Sequence, residues 1–145
     1  MNYSRGEQTL REVTAYHEAG HALAALREGR GVKRVYVSAT NPEAGVCSHR
    51  TAIGNPYDVS HSRGSAAAAW QHTLESSCAG IRIRLAGPLA EAKILGKPLR
   101  ANGAQSDLES CIYLAERLAR LNSFISNYTK ITSVKSISKT NAIFM

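Results

Sequence analysis

Two histidines and a glutamate stand together as His17-Glu18-Ala19-Gly20-His21. If the stretch is helical, at about 100° per residue the two histidines lie one turn apart on nearly the same face. Both imidazoles then reach one metal ion. Zinc accepts neutral imidazole nitrogen at roughly 2.0–2.1 Å, and an i, i+4 pair supplies two ligands from one rigid element. Glu18 falls to the side of the pair, where its carboxylate can take a proton from a water activated by the metal without becoming a ligand. The pattern predicts Zn²⁺ held by His17 and His21, with Glu18 as the catalytic base. The competing reading is a pair of core histidines hydrogen-bonded to their neighbours.

The element that must carry this motif reads as a helix. Thr9 and Glu12 form a T-x-x-E capping box that places its start near Leu10, and Gly29 and Gly31, flanked by Arg27 and Arg30, mark its end. Val13, Gly20 and Ala24 share the face of the histidines. Tyr16, Ala19, Leu23 and Leu26 form a second apolar face, so the helix is expected to be central and buried.

Catalytic zinc takes three protein ligands and keeps one position open. The chain has Ala24 and Arg27 where a contiguous third-histidine motif would continue, so the third ligand comes from far downstream. Glu75, Glu91, Asp107 and Glu109 are the candidates, each on a predicted helix. For Asp107 there is also a plain structural reading: Ser106 and Glu109 make an S-x-x-E capping box, and an acid in a first helical turn suits the helix dipole. Residue type alone does not choose among the four.

The remaining elements follow from pattern. The segment 31–39 alternates like a strand, 41–45 is turn chemistry, and 46–51 returns as its antiparallel partner. The strand from Val32 to Ala39 is expected to offer an edge to an extended peptide. Residues 52–64 are rich in Gly, Asn, Pro and Ser and read as a mobile loop. His49 and His61, in or beside it, receive no role. A long helical stretch opens at Ser65 and keeps a period through Trp70, Leu74, Cys78, Ile81 and Leu85, with a break or kink expected before Pro88. Residues 101–105 read as a loop and Ser106 as the start of the last helix, with Leu108, Ile112, Ala115, Leu118 and Ala119 as its stripe. The tail 122–145 is expected to be partly disordered or docked.

Three blocks in this order, Tyr16–Leu23, Leu85–Glu91 and Gly103–Glu109, resemble the peptidase domain of the FtsH family of zinc proteases, over roughly residues 10 to 121. The resemblance implies zinc ligation by His17, His21 and Asp107, with Glu18 as general base. Its middle block implies a packing helix that supports the site, which puts Glu91 beside the ligands and not among them. Pro88 replaces the arginine usual in that block. The family's proteins also carry a membrane anchor and an ATPase ring. Neither a P-loop nor an 18-residue apolar run occurs in this sequence.

With 145 residues, 43% apolar and 20% charged, the chain fits one folded domain with a proper core. The expected domain spans 1–121, α+β and mostly helical, zincin-like, with a small antiparallel ribbon beside a helical core. Cys47, Cys78 and Cys111 are odd in number, lack a C-x-x-C and read as reduced thiols; with no apolar leader, the expected location is cytoplasmic. The net charge of +7 is spread along the chain, and aromatics for base stacking are few at 6%, so specific nucleic-acid binding is not expected. The function expected is a stand-alone zinc metallopeptidase acting on peptides or unfolded segments, with a separate ATPase or adaptor as a partner. Its alternative is a non-catalytic zinc-binding regulatory or peptide-binding module. Oligomeric state stays open.

Overall fold

The helix bearing the two histidines, α1 (Arg5–Arg27), is followed by strands β1 (Val32–Val37) and β2 (Gly45–His49) and by helices α2 (Ala66–Leu95) and α3 (Ala101–Asn141). This is a computed structural model, and it describes residues 5–50, 66–96 and 101–141. The 52–64 loop and the end of the tail lie outside the described residues. Among those residues the chain is mostly helical with a two-stranded antiparallel sheet, which agrees with the α+β expectation.

The end of α1 follows its glycine. Gly29 has φ of +69°, its N–H donates to Leu26 O, and Arg30 N–H donates back to Ala25 O. This is the left-handed closing turn that glycine adopts without a Cβ penalty. The start differs from expectation. α1 begins at Arg5, so Thr9 is inside the helix and not its cap. An equivalent S-x-x-E pattern, Ser4 to Glu7, stands five residues earlier in the sequence.

The ribbon pairs Val37 with Gly45, Val35 with Cys47 and Val32 with His49, with a register shift between Val32 and Arg34. It is tied to the first half of α1. Arg11 donates to the carbonyls of Ser38 and Ala39, and Thr14 Oγ1 donates to Pro42 O at 2.8 Å. Within the connecting turn, Glu43 N–H donates to Asn41 Oδ1 at 3.0 Å, the side-chain turn that Asn favours. At the other end of α1, Arg30 donates to Ser76 O, and Arg82 grips Glu28 with two nitrogens.

α1 and α2 approach closely because both are built of small residues at the crossing. A Cβ on Gly20 would sit 2.5 Å from Ala86 O and 2.8 Å from the Ala90 Cβ. α2 is one continuous helix through Gly87-Pro88, so the predicted break is absent. Proline forfeits one helical hydrogen bond and crowds the carbonyl four residues earlier, and packing of this segment against α1 holds the turn helical.

The core is unusual in chemistry. Among the described residues its buried apolar side chains are Val13, Ala25, Ala79, Ile83, Ala104 and Cys111, while Thr14, His17, Glu18, His21, Thr73, Ser77, Glu91 and Asp107 are buried polar groups. The inward face of α2 therefore mixes Thr73, Ser77 and Glu91 with Ala79, Ile83, Gly87 and Pro88, and the apolar period from Trp70 to Leu85 is only half-buried. On α3 the inward row is Ala104, Asp107 and Cys111, and Ile112 is exposed. The second apolar face expected to bury α1 is also outside: Leu23 is 63% and Leu26 59% exposed. Helix α3 begins at Ala101, where a loop was expected, and its backbone continues to Asn141, beyond the point at 122 where composition predicts the helix to give way. The three cysteines are free thiols. No helix among the described residues is long and apolar enough to cross a membrane.

Candidate metal centre

Each helix sends one part of the site inward. From α1, His17 and His21 face the same point, with ring centroids 4.7 Å apart and planes at 78°. From α3 comes Asp107, whose Oδ2 lies 3.1 Å from Nε2 of both histidines. From α2 come the groups that hold the rings. Glu91 Oε2 accepts from His17 Nδ1 at 3.1 Å, and Ile83 O accepts from His21 Nδ1 at 2.8 Å.

These outer bonds decide what the inner atoms can be. A carbonyl oxygen only accepts, so His21 Nδ1 carries hydrogen; a carboxylate facing His17 Nδ1 has the same effect. In a neutral imidazole the opposite nitrogen is then a bare electron pair. Two such pairs converge on a carboxylate oxygen, and the arrangement is stable only with positive charge among them. Protons on the rings supply it, or a metal cation does. Ligands about 2.0–2.1 Å from a tetrahedral zinc stand roughly 3.3 Å from one another, close to the spacing observed. The ligand atoms of His17, His21 and Asp107 all lie within 4.8 Å of one another, and the three residues are buried. A carboxylate or carbonyl behind each metal-binding histidine is the usual means of fixing its tautomer and aim.

The structure separates the four candidate acids. Asp107 joins the histidines, and Glu91 backs His17 from behind. Glu75 and Glu109 point outward on their helices, where they accept from Gln71 at 2.6 Å and Gln105 at 2.9 Å. The capping explanation for Asp107 also falls away, because α3 starts six residues earlier and Asp107 sits inside it.

No protein-family model, curated protein or solved structure matches the chain. The reading of the site therefore rests on its own geometry.

Glu18 lies beside the cluster without entering it. A Cβ on Gly45 would stand 2.7 Å from Glu18 Oε1, so a glycine at the start of β2 lets the carboxylate lie against the strand. Cys47, two residues further along β2, lines the same side of the cleft. Burial pushes the Glu18 carboxyl above the ordinary glutamate value, outweighing the two imidazoles that pull it down. Glycine serves the cluster itself in the same way: a Cβ on Gly87 would meet His21 Nε2 at 2.4 Å.

The cluster lines a cleft of about 860 Å³ whose far wall is the β2 side of the ribbon, from Glu43 through Cys47 to His49. The strand beside the site is thus β2, where β1 was expected to present the edge. His49 reaches the cleft wall, and its Nδ1 donates to Arg50 O at 3.0 Å. His61 lies outside the described residues. Arg84, Gly45, Gly87 and the Ile83 carbonyl were not singled out from sequence. The only signal for them is that Arg84, Gly87 and Glu91 fall on one helical face.

The charges predict how the chelated protein responds to pH. Burial disfavours the charged form of His17, but its bonds to Asp107 and Glu91 prevail and its pKa rises above 6.5. Stability from that group is full below 6.5 and is lost as pH rises through the higher folded value. Asp107 is held well below its ordinary 3.8 by the two imidazoles despite burial, so its contribution is full above 3.8 and fades only in stronger acid. Glu18, raised from 4.5, adds a further loss of stability as pH climbs. The melting temperature of chelator-treated protein should therefore be higher at pH 6 than at pH 8. Added zinc should stabilise more at pH 8, because metal needs the imidazoles unprotonated. Chelated protein that gains stability from pH 6 to pH 8 would contradict this account.

Proposed function

We propose that the chain is a zinc-dependent metallopeptidase of the FtsH type, cleaving peptides or unfolded segments. The observation that carries the reading is the convergence of His17 Nε2, His21 Nε2 and Asp107 Oδ2 beside a buried, unligated Glu18 in an open cleft. Two imidazoles and one carboxylate form a three-ligand set suited to catalytic zinc, with a coordination position left for water or substrate. Bound zinc would supply a Lewis acid that polarises the scissile carbonyl and makes water a nucleophile at neutral pH. The chain's own residues do the rest. Glu18 takes a proton from the attacking water and hands it to the leaving amine, a role suited by a carboxyl raised above its ordinary value. Gly45, with no Cβ, leaves that carboxylate room at the strand side of the cleft. Glu91 and Ile83 O hold the two rings in the tautomer that exposes Nε2. The outer edge of β2 offers main-chain groups to an extended peptide. The similarity of the three sequence blocks to the FtsH peptidase domain supports the same reading.

The test is elemental analysis of unsubstituted protein and Asp107→Ala, with hydrolysis of an unfolded casein assayed on the same samples. The expected result is one zinc per chain with chelator-sensitive cleavage, and loss of most zinc in the variant, since removing a protein ligand forfeits one metal bond. Zinc bound without cleavage would favour the non-catalytic module. No zinc after reconstitution would end the metallopeptidase reading.

A further inference from the structure

Among the described residues the cleft holds several acids and one permanent cation. Glu18, Glu43, Glu91 and Asp107 line it, and Arg84 is the single lysine or arginine among the lining residues. Its position is specific. It follows Ile83, whose carbonyl holds His21, and its Nη1 stands 3.6 Å from Asp107 Oδ1, the oxygen that the imidazoles do not share. That distance is beyond hydrogen bonding, so the pair is an electrostatic contact through one nitrogen. Asp107 is the one carboxylate with which Arg84 pairs among the described residues. The Arg84 side chain is 46% exposed, where Asp107 is nearly buried.

A guanidinium carries five N–H donors in a planar fork that matches a carboxylate with two parallel bonds. Neutralising Asp107 uses none of that fork in a hydrogen bond. An arginine at the mouth of a site, next to a metal ligand and with its donors open to the cleft, is placed to receive an anionic group of whatever lies across the metal centre.

We propose that Arg84 is a specificity residue that binds a substrate carboxylate. The proposal rests on the peptidase reading and narrows its substrate class to peptides bearing a negative group close to the scissile bond. That group is either the C-terminal carboxylate, in which case cleavage falls near the chain end, or the side chain of an acidic residue. Bidentate pairing contributes about 10- to 100-fold in affinity, the range of a charge-assisted hydrogen-bonded contact.

The experiment uses zinc-loaded Glu18→Gln protein as a binder that does not turn over, with zinc content measured for every variant. Fluorescein-labelled alanine-rich peptides are compared by anisotropy in three forms: free C-terminus, C-terminal amide, and amide with one internal Glu. The expected result is that one carboxylate-bearing form binds about 10- to 100-fold more tightly than the plain amide. Which form it is identifies the source of the carboxylate. Adding Arg84→Gln should abolish the preference at unchanged zinc content, and Arg84→Lys should restore only part of it, because an ammonium lacks the fork. Equal binding of all three forms, or a preference that survives Arg84→Gln, overturns the proposal. Loss of zinc in both Arg84 variants overturns it too, and makes Arg84 a positioning residue for Asp107. Failure of the peptidase reading is seen separately, as absence of casein cleavage by the zinc-loaded unsubstituted protein.

Discussion

Glu18→Gln should reduce kcat/KM for peptide hydrolysis by about 10²- to 10⁴-fold, the usual worth of a positioned general base, while zinc content and melting temperature stay near those of the unsubstituted protein. The separation of effects follows from where Glu18 stands. It is not one of the three converging ligand groups, so its removal takes no bond from the metal. An amide has the same shape as the carboxylate and fits the space that Gly45 leaves. Only the capacity to take a proton is lost. Turnover preserved in Glu18→Gln at equal zinc occupancy would sink the base assignment. A loss of zinc together with activity would instead make Glu18 a ligand, contrary to its place beside the cluster. Measuring metal and rate on the same preparation is what makes the two outcomes separable.

The parts of this site that were legible in the sequence are those fixed by spacing along one element. His17 and His21 need only a helical repeat to converge, with Glu18 to their side, and a turn between two alternating segments sufficed for the ribbon. The third member of the cluster was not legible from residue type, because choosing it depends on which face of a later helix turns inward. Asp107 and Glu109 are two residues apart, about 200° around a helix, so one faces the histidines and the other faces water. A helix start placed at Ser106 also supplied Asp107 with a local purpose that the start at Ala101 removes. The apolar faces misled for a related reason. Hydrophobic periodicity assumes that the inside is apolar, but among the described residues the buried positions mix His, Glu, Asp, Thr and Ser with Val13, Ile83 and smaller apolar side chains around a cluster suited to a cation. Leu23, Leu26 and Ile112 consequently stand outside, while Thr73, Ser77 and Glu91 turn in. The strand edge was assigned to β1 because β1 follows α1 directly. Which strand lies against Glu18 depends on tertiary anchoring by Arg11 and Thr14, for which the sequence has no pattern.

Gly87→Ala should disable the candidate metal centre without replacing any of its three residues. The added Cβ would fall 2.4 Å from His21 Nε2, 2.5 Å from His21 Cε1 and 2.8 Å from His17 Cδ2, distances that real Cβ contacts do not tolerate. Neither ring can swing aside cheaply, because His21 is pinned by Ile83 O and His17 by Glu91. Helix α2 cannot simply stay in place, and moving it away separates Ile83 and Glu91 from the rings they orient. Overpacking of this kind costs about 1–3 kcal/mol in stability, and loss of the groups behind metal-binding histidines costs about 10- to 100-fold in metal affinity. Gly80→Ala on the same helix is the matched control. Its Cβ would meet only Leu114 Cδ1 at 3.1 Å, the movable end of a side chain. Both substitutions gain the same helix propensity, about 1 kcal/mol. Thermal melts with and without zinc, and competition of each variant against a chelator for zinc, should therefore diverge: Gly80→Ala near or above the unsubstituted protein in both, Gly87→Ala below it in both. Zinc affinity in Gly87→Ala equal to that of Gly80→Ala would mean that α2 does not press on the histidines, and with it would fall the account of how the rings are aimed at Asp107.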